Sequence, residues 1–449
     1  MQTFIKENKQ LLILAIPLIV NYFIEGCPNF VNNAMIAHLG QTQLAAGAVV
    51  SSAFTGVLVF FYGILAAAST LISHHYGAKE KRQIGEVVRD AILLAGVCCV
   101  LLFILLYYGT DILRWAGQPP ALVALAAPYL HGLMFAVIPD FATMVLWQFF
   151  IGLGRPKVTL VSSFLYVPIN ILANYTLMFG HFGFPALGMF GIGLGTAIGF
   201  WMLFVGMFAY IWWQPQYRQY FNEALLQFNT LHIKPLIKIG LPMGVMWGID
   251  VSFGMFAAFF AGKLGTTLLA AQQIGVQVTG LTFLVIAGLA QAITVRIGHT
   301  WGAKNYGAAN AICLSGFLMC FSIGMLFSLL LWFKPLWIIG IDFNLSDPAN
   351  AAIIKLATEF LLIFGFYQLA NSMRYAFFAV LRALKDTYFP ALCSLVGFYG
   401  IAIGLGYPLL FHWGGNLFQF WYLTTAAIML IVGAMYWRFT LRVKQTGKF

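Results

Sequence analysis

The sequence has few charged residues for its length. Only 8% of its 449 residues are Asp, Glu, Lys or Arg, whereas 61% are hydrophobic. About a quarter of the residues in a typical soluble domain are charged, so this composition excludes a soluble globular protein. A chain of this length has room for roughly a dozen membrane-spanning helices of about 20 to 30 residues each.

The sequence also lacks the motifs of several functional classes. It contains no Gly-Lys-Ser/Thr phosphate-binding loop, which argues against direct use of ATP. Its loops are short and carry no paired acids or histidines of the kind that an enzyme needs, so we expect no enzymatic activity and no cofactor. The six cysteines lie in apolar runs, which indicates small buried side chains rather than disulfides or metal ligands. The net charge of +11 comes from basic residues scattered over short loops, so no nucleic-acid partner is expected.

The sequence does contain an internal repeat, which relates its first half to its second without a gap over several motifs. The segment His74–Lys79 (HHYGAK) returns as His299–Lys304 (HTWGAK). Glu25 lies in an apolar segment of the first copy, and Asp250 occupies the same place in the second. An acid at the same place in both halves of a membrane protein is typical of a transporter, because the repeats form the moving halves and buried acids carry the coupling.

Hydropathy predicts an all-α integral membrane protein with twelve transmembrane helices in two parallel six-helix repeats. The predicted spans are roughly 10–37, 45–73, 90–110, 122–152, 158–180, 188–213, 236–262, 267–298, 309–333, 351–381, 388–411 and 418–439. Most lysines and arginines fall in loops on one side, so the positive-inside rule places both termini in the cytoplasm. The predicted domains are an N-lobe at 1–213, a cytoplasmic linker at 214–235, and a C-lobe with a short basic tail at 236–449.

The fourth and tenth predicted spans show a second match between the two halves. Phe149-Phe150 and Lys157 align with Phe377-Phe378 and Lys385, in a register slightly different from that of the first match. This alignment predicts that the two spans are equivalent and that Lys157 corresponds to Lys385.

The ordered set of motifs resembles the multidrug and toxic compound extrusion (MATE) transporters, and in particular their bacterial NorM-like branch. The motifs are Gly240-Leu241-Pro242, Lys263-Leu264-Gly265, Ala270–Gln273, Gly77–Lys79, Gly302–Lys304, Gly154–Lys157 and Tyr367-Gln368. The resemblance covers essentially the whole chain. It implies two six-helix lobes that export organic cations and other amphipathic drugs, driven by inward flow of Na⁺ or H⁺.

The resemblance also assigns roles to single residues. Asp250 occupies the position of a membrane-embedded acid, usually Glu, that is implicated in cation coupling, and Tyr367 that of an aromatic residue near it. Two carboxylates of the family pattern are amides in this chain, at Asn32 and Asn371. A standard Na⁺ site is therefore in doubt, although a transient Na⁺ at Asp250 stays an alternative because an amide oxygen can also bind Na⁺. Protons are slightly favoured as the coupling ion.

The first predicted span carries a polar stripe. Asn21, Glu25, Asn29 and Asn32 follow one another at spacings of four, four and three, so they share one face of a helix. A polar face is costly against lipid, so we expect it to line the bundle interior or a cavity. Glu25 is therefore a candidate for cation coupling and the three asparagines for the substrate cavity. The alternative is a structural Glu25 that is permanently protonated.

Asp250 has aromatic residues on either side, with Trp247 three residues before it and Phe253 three residues after it. Such rings can hold a cationic drug that the acid attracts, so both are candidate substrate-cavity residues. Arg374 lies within the tenth predicted span, where an unpaired charge is costly. We expect it to pair with Asp250 or Glu25 in one conformation and to be replaced by a cation in another. The alternative is an arginine that snorkels to the cytoplasmic end of its helix.

Further polar residues in the predicted spans are candidates for the substrate cavity. Asp140 follows Pro139, so it either lines the cavity or bridges a kinked helix. Gln273 and Gln277 either bind a ligand or form hydrogen bonds between helices, which is the commoner role of amides in lipid. The family resemblance adds Asn170 and Asn174 of the fifth span, which match polar positions that line the N-lobe cavity in relatives.

The sequence therefore predicts a multi-pass antiporter of the bacterial inner membrane. It would export amphipathic or cationic drugs by alternating access, coupled to inward H⁺ or Na⁺, as a monomer surrounded by the lipid bilayer. The main alternative is a flippase for lipid-linked precursors of the same superfamily. That activity would favour a cavity rich in basic residues, and Arg374 is the main basic candidate.

Overall fold

The computed structural model describes residues 2–222 and 230–446, and helices account for nearly all of them. The helices in chain order are α1 (Gln2–Ala37), α2 (Gln41–Leu65), α3 (Ala67–Gly77), α4 (Lys81–Tyr107), α5 (Gly109–Trp115), α6 (Pro120–Met134), α7 (Val137–Gly152), α8 (Pro156–Phe179), α9 (Gly188–Trp213), α10 (Pro215–Arg218), α11 (Ile233–Leu264), α12 (Thr266–Gly302), α13 (Tyr306–Phe333), α14 (Pro335–Asp342), α15 (Ala351–Ala383), α16 (Tyr388–Ser394), α17 (Gly406–Phe411) and α18 (Leu417–Thr446). A 3₁₀ turn at Pro348–Asn350 precedes α15, and a π-helix at Leu395–Ile403 follows α16. The predicted linker lies only partly within this description, because 223–229 falls outside it.

The helices account for the predicted spans. Within the described residues, eleven spans are long and apolar enough to cross a membrane, and α6 with α7 forms a twelfth if the bent pair counts as one span. That pair is bent by 51° at Phe135 and Ala136, just before Pro139. The third span begins at Lys81 rather than near residue 90, because its first turns are polar but still helical. The chain is a multi-pass, all-helical membrane protein.

The helices form two compact units. One unit comprises Val20–Gly244, and the other comprises Met1–Ile19 with Val245–Phe449. Both boundaries between the units fall inside a helix, in α1 and in α11. Glu25 belongs to the first of these units, which we call the N-unit, and Asp250 belongs to the second, which we call the C-unit. The lobe boundaries expected from the sequence, at 213 and 236, stay a prediction.

The internal repeat is visible in the turns that end equivalent helices. The amide of Lys79 donates to Tyr76 and that of Glu80 to His75, and the same pair of bonds recurs at the matching positions Lys304 and Asn305. Both lysines have a left-handed backbone, with φ of 62° and 57°. This is the Schellman arrangement, in which one residue turns left-handed to satisfy the last carbonyl groups of a helix. The two halves therefore share backbone geometry at this position.

The second repeat match was wrong in its register. The turn after α7 has its left-handed residue at Gly154, and the turn after α15 has it at Lys385, with the same two backbone bonds in each. Gly154, rather than Lys157, therefore corresponds to Lys385. The paired phenylalanines misled the sequence comparison, because apolar residues recur throughout these helices. In the corrected register, Asp140 of α7 corresponds to Asn371 of α15.

Each unit has a tightly packed interior. In the N-unit, Gly132 of α6 and Gly193 of α9 face each other, and a Cβ atom on Gly193 would lie 2.6 Å from the Gly132 backbone. Small residues allow such close approach of helices in membranes. In the C-unit, the Phe253 ring lies 4.7 Å from Phe398 and 6.1 Å from Trp421, between ring centroids. These packed interiors hold the polar residues in place.

All six cysteines are free thiols, but one departs from expectation. Cys98, Cys313 and Cys320 are buried, as predicted. Cys27 lies instead on the exposed surface of α1, where the apolar run faces outward.

Candidate functional site

Asp250 and Arg374 form an ion pair in the C-unit. The Nη2 atom of Arg374 in α15 donates to Oδ2 of Asp250 in α11 at 2.9 Å, and the Tyr375 hydroxyl donates to the same oxygen at 2.6 Å. The sequence predicted that Arg374 pairs with Asp250 or Glu25, and in the structure its partner is Asp250. The alternative, in which the arginine snorkels to the cytoplasmic end of its helix, does not apply. An Arg–carboxylate pair with a second donor is a strong, charge-assisted arrangement.

Arg374 is enclosed by polar and aromatic neighbours. Its side chain is only 2% exposed, whereas that of Asp250 is 18% exposed. Its Nε donates to Asn371 Oδ1 at 3.0 Å and its Nη1 to Ser394 Oγ at 3.3 Å. The guanidinium also lies over the rings of Tyr375 and Phe398, at 4.5 and 5.1 Å from their centroids. Because α16 passes into a π-helix directly after Ser394, the irregular part of that span lies beside the ion pair.

One oxygen of the Asp250 carboxylate has no hydrogen-bond partner among the described residues. Both donors converge on Oδ2, and Oδ1 is buried without one. A buried oxygen that lacks a donor is unfavourable, so this carboxylate retains capacity for one further proton, cation or donor group.

Two acids of the N-unit, Glu25 and Asp140, form a second candidate site. Asn21 donates from Nδ2 to Glu25 Oε1 at 2.5 Å, and the Tyr62 hydroxyl donates to Asp140 Oδ1 at 2.6 Å. Within the part of the chain that the structure describes, neither acid forms an ion pair with a basic residue. At equivalent positions of the repeat, the N-unit therefore has the carboxylates Glu25 and Asp140, and the C-unit has the carboxylate Asp250 and the amide Asn371 beside Arg374.

An amide cluster lies in the same unit. Asn174 Nδ2 of α8 donates to Asn32 Oδ1 at 2.7 Å and to Asn170 Oδ1 at 3.1 Å. Both α8 asparagines are fully buried, and no residue that the structure describes donates to Oδ1 of Asn174. The structure thus joins Asn32 of α1 to the two residues that the family resemblance selected in α8.

The remaining predicted site residues are not joined to these clusters by hydrogen bonds in the described structure. Trp247 is half-buried one turn before Asp250, whereas Phe253 is only 3% exposed within the aromatic core. Tyr367 packs against Phe364 and Trp421. The exposed residues are Asn29, Gln273 and Gln277. Their substrate roles stay predictions, and Phe253 can meet a substrate only if the core around it opens.

Sequence reasoning missed the two tyrosines that bind the acids. Tyr375 and Tyr62 lie 125 and 78 residues from their partners, so no local spacing connects them. The position of Tyr375 directly after Arg374 was an available signal. For Tyr62, which lies among apolar and aromatic residues of α2, we find no comparable signal in the sequence.

A third cluster of titratable groups lies where α11 begins. The backbone amide of His232 donates to the buried Asp90 Oδ2 of α4 at 2.9 Å, and its Nε2 lies 3.6 Å from Glu86. The rings of His75 and His232 are 5.4 Å apart. Burial, and secondly the neighbouring His75, lowers the pKa of His232 despite the two acids. This cluster ties the start of α11 to α4 through the His232 backbone amide.

The fold and its buried charges define a membrane transporter, and comparison with known proteins identifies the family. The MatE family model matches residues 17–176 and 242–408, which is one match in each half of the repeat. The chain therefore belongs to the MatE family, which comprises transporters and not enzymes.

Curated relatives and solved structures agree with this assignment. The chain is 31% identical to "Probable multidrug resistance protein NorM" of Pseudomonas putida, over 98% of this chain and 96% of that protein. It is 30% identical to the protein of the same description from Mesorhizobium japonicum, over 97% and 94%. Its fold matches the Vibrio cholerae MATE transporter VcmN in the bent form, with a TM-score of 0.86 at 16% identity over 99% of both chains. The fold of a Pyrococcus furiosus transporter of the MOP superfamily matches at a TM-score of 0.84 and 18% identity, over 99% and 97%.

Proposed function

We propose that this protein exports amphipathic, mostly cationic compounds by alternating access, driven by inward movement of protons. The descriptions of the NorM relatives as probable multidrug resistance proteins support drugs as the exported compounds. The observation that carries the proposal is the Asp250–Arg374 pair, in which a carboxylate with one unpartnered oxygen is held by a single buried arginine.

The ion pair provides a switch that a cation can operate. A cationic substrate that reaches Asp250 competes with Arg374, because both would neutralise the same carboxylate. Displacement of Arg374 leaves its guanidinium with Asn371, Ser394 and the flanking rings. Substrate binding and the position of α15 are then coupled, since α15 carries Arg374, Asn371 and Tyr375.

The two acids of the N-unit supply the proton site. A carboxylate in a spanning helix without a basic partner favours proton uptake, because the proton removes its buried charge. Glu25 and Asp140 have no basic partner in the described structure, and Asn21 and Tyr62 donate hydrogen bonds that orient them. Proton uptake there biases the equilibrium between two conformations, which drives the cycle.

Sodium fits these sites less well than a proton. Na⁺ needs several oxygen ligands, but Asn371 Oδ1 already accepts from Arg374 and the neighbouring guanidinium repels a cation. The amide cluster of Asn32, Asn170 and Asn174 offers oxygens without a carboxylate. The lipid-linked precursor flippase is not favoured, because the basic residue expected to bind its phosphates is already paired with Asp250.

We further propose that the protein acts as a monomer in the bacterial plasma membrane, with both termini in the cytoplasm. This orientation rests on the distribution of lysines and arginines.

Ethidium transport in proteoliposomes tests the proposed function. An imposed pH gradient should drive ethidium against its gradient, and an imposed Na⁺ gradient should not. The Asp250→Asn variant should lose the transport that the pH gradient drives in the wild type. Movement driven only by Na⁺ would overturn proton coupling, and no gradient-driven movement of ethidium or other organic cations would overturn the export proposal.

A further inference from the structure

A groove runs between α8 and α9 of the N-unit, apart from the acids and amides described above. Its volume is about 490 Å³, and its walls come from both helices. Val161, Leu165 and Met202 along it are each more than half exposed, so the groove is open along its side. An open apolar groove in a transmembrane segment is accessible to hydrocarbon chains.

The charge in this groove lies at one end. Among the described residues that line it, Lys157 alone is charged, and the others are apolar apart from Ser162, Tyr166 and Tyr210. Lys157 is exposed in the first turn of α8 and forms no ion pair within the described ranges 2–222 and 230–446. The N-terminus of α8 has no side-chain cap from the described part of the chain, and the residue before it is Arg155. A lysine, an arginine and an uncapped helix N-terminus together favour an anion.

The length of the groove fits one membrane leaflet. It extends along α8 from Lys157 to Ile169, which is about 18 Å at the helical rise of 1.5 Å per residue. Half of a typical bilayer hydrocarbon core is about 15 Å thick. A chain that begins at Lys157 therefore reaches about the middle of the bilayer.

We propose that this groove binds an anionic phospholipid of the cytoplasmic leaflet. Lys157 and the N-terminus of α8 bind its phosphate, and one acyl chain lies against Leu165, Ile169 and Met202. The positive end of the groove disfavours the cationic compounds that the protein is proposed to export. The bound lipid is a resident of the site rather than a transported substrate, so the proposal does not depend on the transport mechanism.

Lipid retention by the purified full-length protein tests this site. Detergent-solubilised protein is titrated with dioleoyl phosphatidylglycerol or dioleoyl phosphatidylcholine, and retained lipid is counted by native mass spectrometry. The wild-type protein should retain phosphatidylglycerol in preference to phosphatidylcholine. The Lys157→Gln variant should lose about fivefold in affinity for phosphatidylglycerol, the effect of one basic residue near an anionic lipid surface, with little change for phosphatidylcholine.

A second variant, at Gly206, tests the groove sterically rather than through charge. It lines the groove, and a Cβ atom there would meet nothing within 4 Å, so Gly206→Leu adds apolar volume beside the groove without a clash at its Cβ atom. This variant should lose retention of both lipids. The matched controls are Gly96→Leu, at another open glycine of a spanning helix, and Lys238→Gln, at another exposed lysine of the N-unit.

Three results would overturn the proposal. The first is unchanged phosphatidylglycerol retention in both Lys157→Gln and Gly206→Leu. The second is an equal loss in the Lys238→Gln control, which would indicate nonspecific attraction. The third is loss of ethidium binding, rather than of lipid, in Gly206→Leu, which would make the groove a drug site.

Discussion

Arg374 and Asp250 lie 124 residues apart in the chain and 2.9 Å apart in the structure, and the arginine is almost completely enclosed. Removing one partner of a buried ion pair leaves the other charge uncompensated. The pair therefore constrains which substitutions this region tolerates, independently of any role in transport.

We expect Arg374→Gln to destabilise the protein more than the double variant Asp250→Asn/Arg374→Gln does. Losing one partner of a buried pair costs about 3 to 5 kcal/mol in soluble proteins, whereas replacing both leaves no orphaned charge. Thermal unfolding of the detergent-purified variants measures the difference. A double variant that is no more stable than Arg374→Gln would show that the arginine acts through its packing on Tyr375 and Phe398.

We expect Tyr375→Phe to lower stability by about 1.5 to 3 kcal/mol, the range for a hydrogen bond to a charged group. The substitution removes the 2.6 Å donor to Asp250 and retains the ring that packs against Phe283 at 5.2 Å. Unfolding of Tyr422→Phe, at a tyrosine that is 58% exposed, provides the matched control. An equal loss of stability in the two variants would show that the Tyr375 hydroxyl does not stabilise the protein through Asp250.

We expect Glu25→Gln and Asp140→Asn to abolish ethidium transport driven by a pH gradient while leaving ethidium binding intact. The two acids form the proposed proton site, and the drug is proposed to bind at Asp250. Asp111→Asn is the control, since this acid is exposed and pairs only locally with Arg114 in the described structure. Transport and fluorescence-detected binding separate the two functions. Normal proton-driven transport in both variants would remove these acids from the coupling mechanism.

We expect the protein to lose stability as the pH falls through about 6.5, in part because of His232. Its pKa is lowered in the folded protein by burial and by His75, so below the ordinary value of 6.5 the unfolded chain binds a proton that the folded chain does not. The stabilisation that this difference in proton binding provides is fully present above about pH 6.5. The charged groups nearest to His232 are Glu86 and Asp90. Arg82, Arg89 and the His75–Glu80 pair surround these two acids.

Melting temperatures at pH 7.5 and 5.5 measure this effect. His232→Gln should reduce the difference between the two conditions, whereas His38→Gln, at an exposed histidine in the turn after α1, should not. An unchanged difference in His232→Gln would show that other groups carry the pH dependence.

Much of the fold could be predicted from residue patterns. The twelve apolar runs predicted the spans, and the HHYGAK and HTWGAK segments predicted equivalent turns that the structure confirms in their backbone bonds. The alignment of the two halves around Lys157 and Lys385 could not be predicted from the sequence. Apolar residues recur too often in such helices for a Phe-Phe match to fix an alignment, and only the turn geometry corrected it.

The sequence by itself determined that this is a duplicated membrane protein with an acid in each half, because apolar length and periodicity act locally along the chain. It selected Asp250, Arg374, Glu25 and Asp140 as costly intramembrane charges. Only the tertiary structure decided which of them meet. Pairing between distant parts of the chain depends on how helices pack, and packing is set by the shapes of many side chains at once rather than by spacing along one helix.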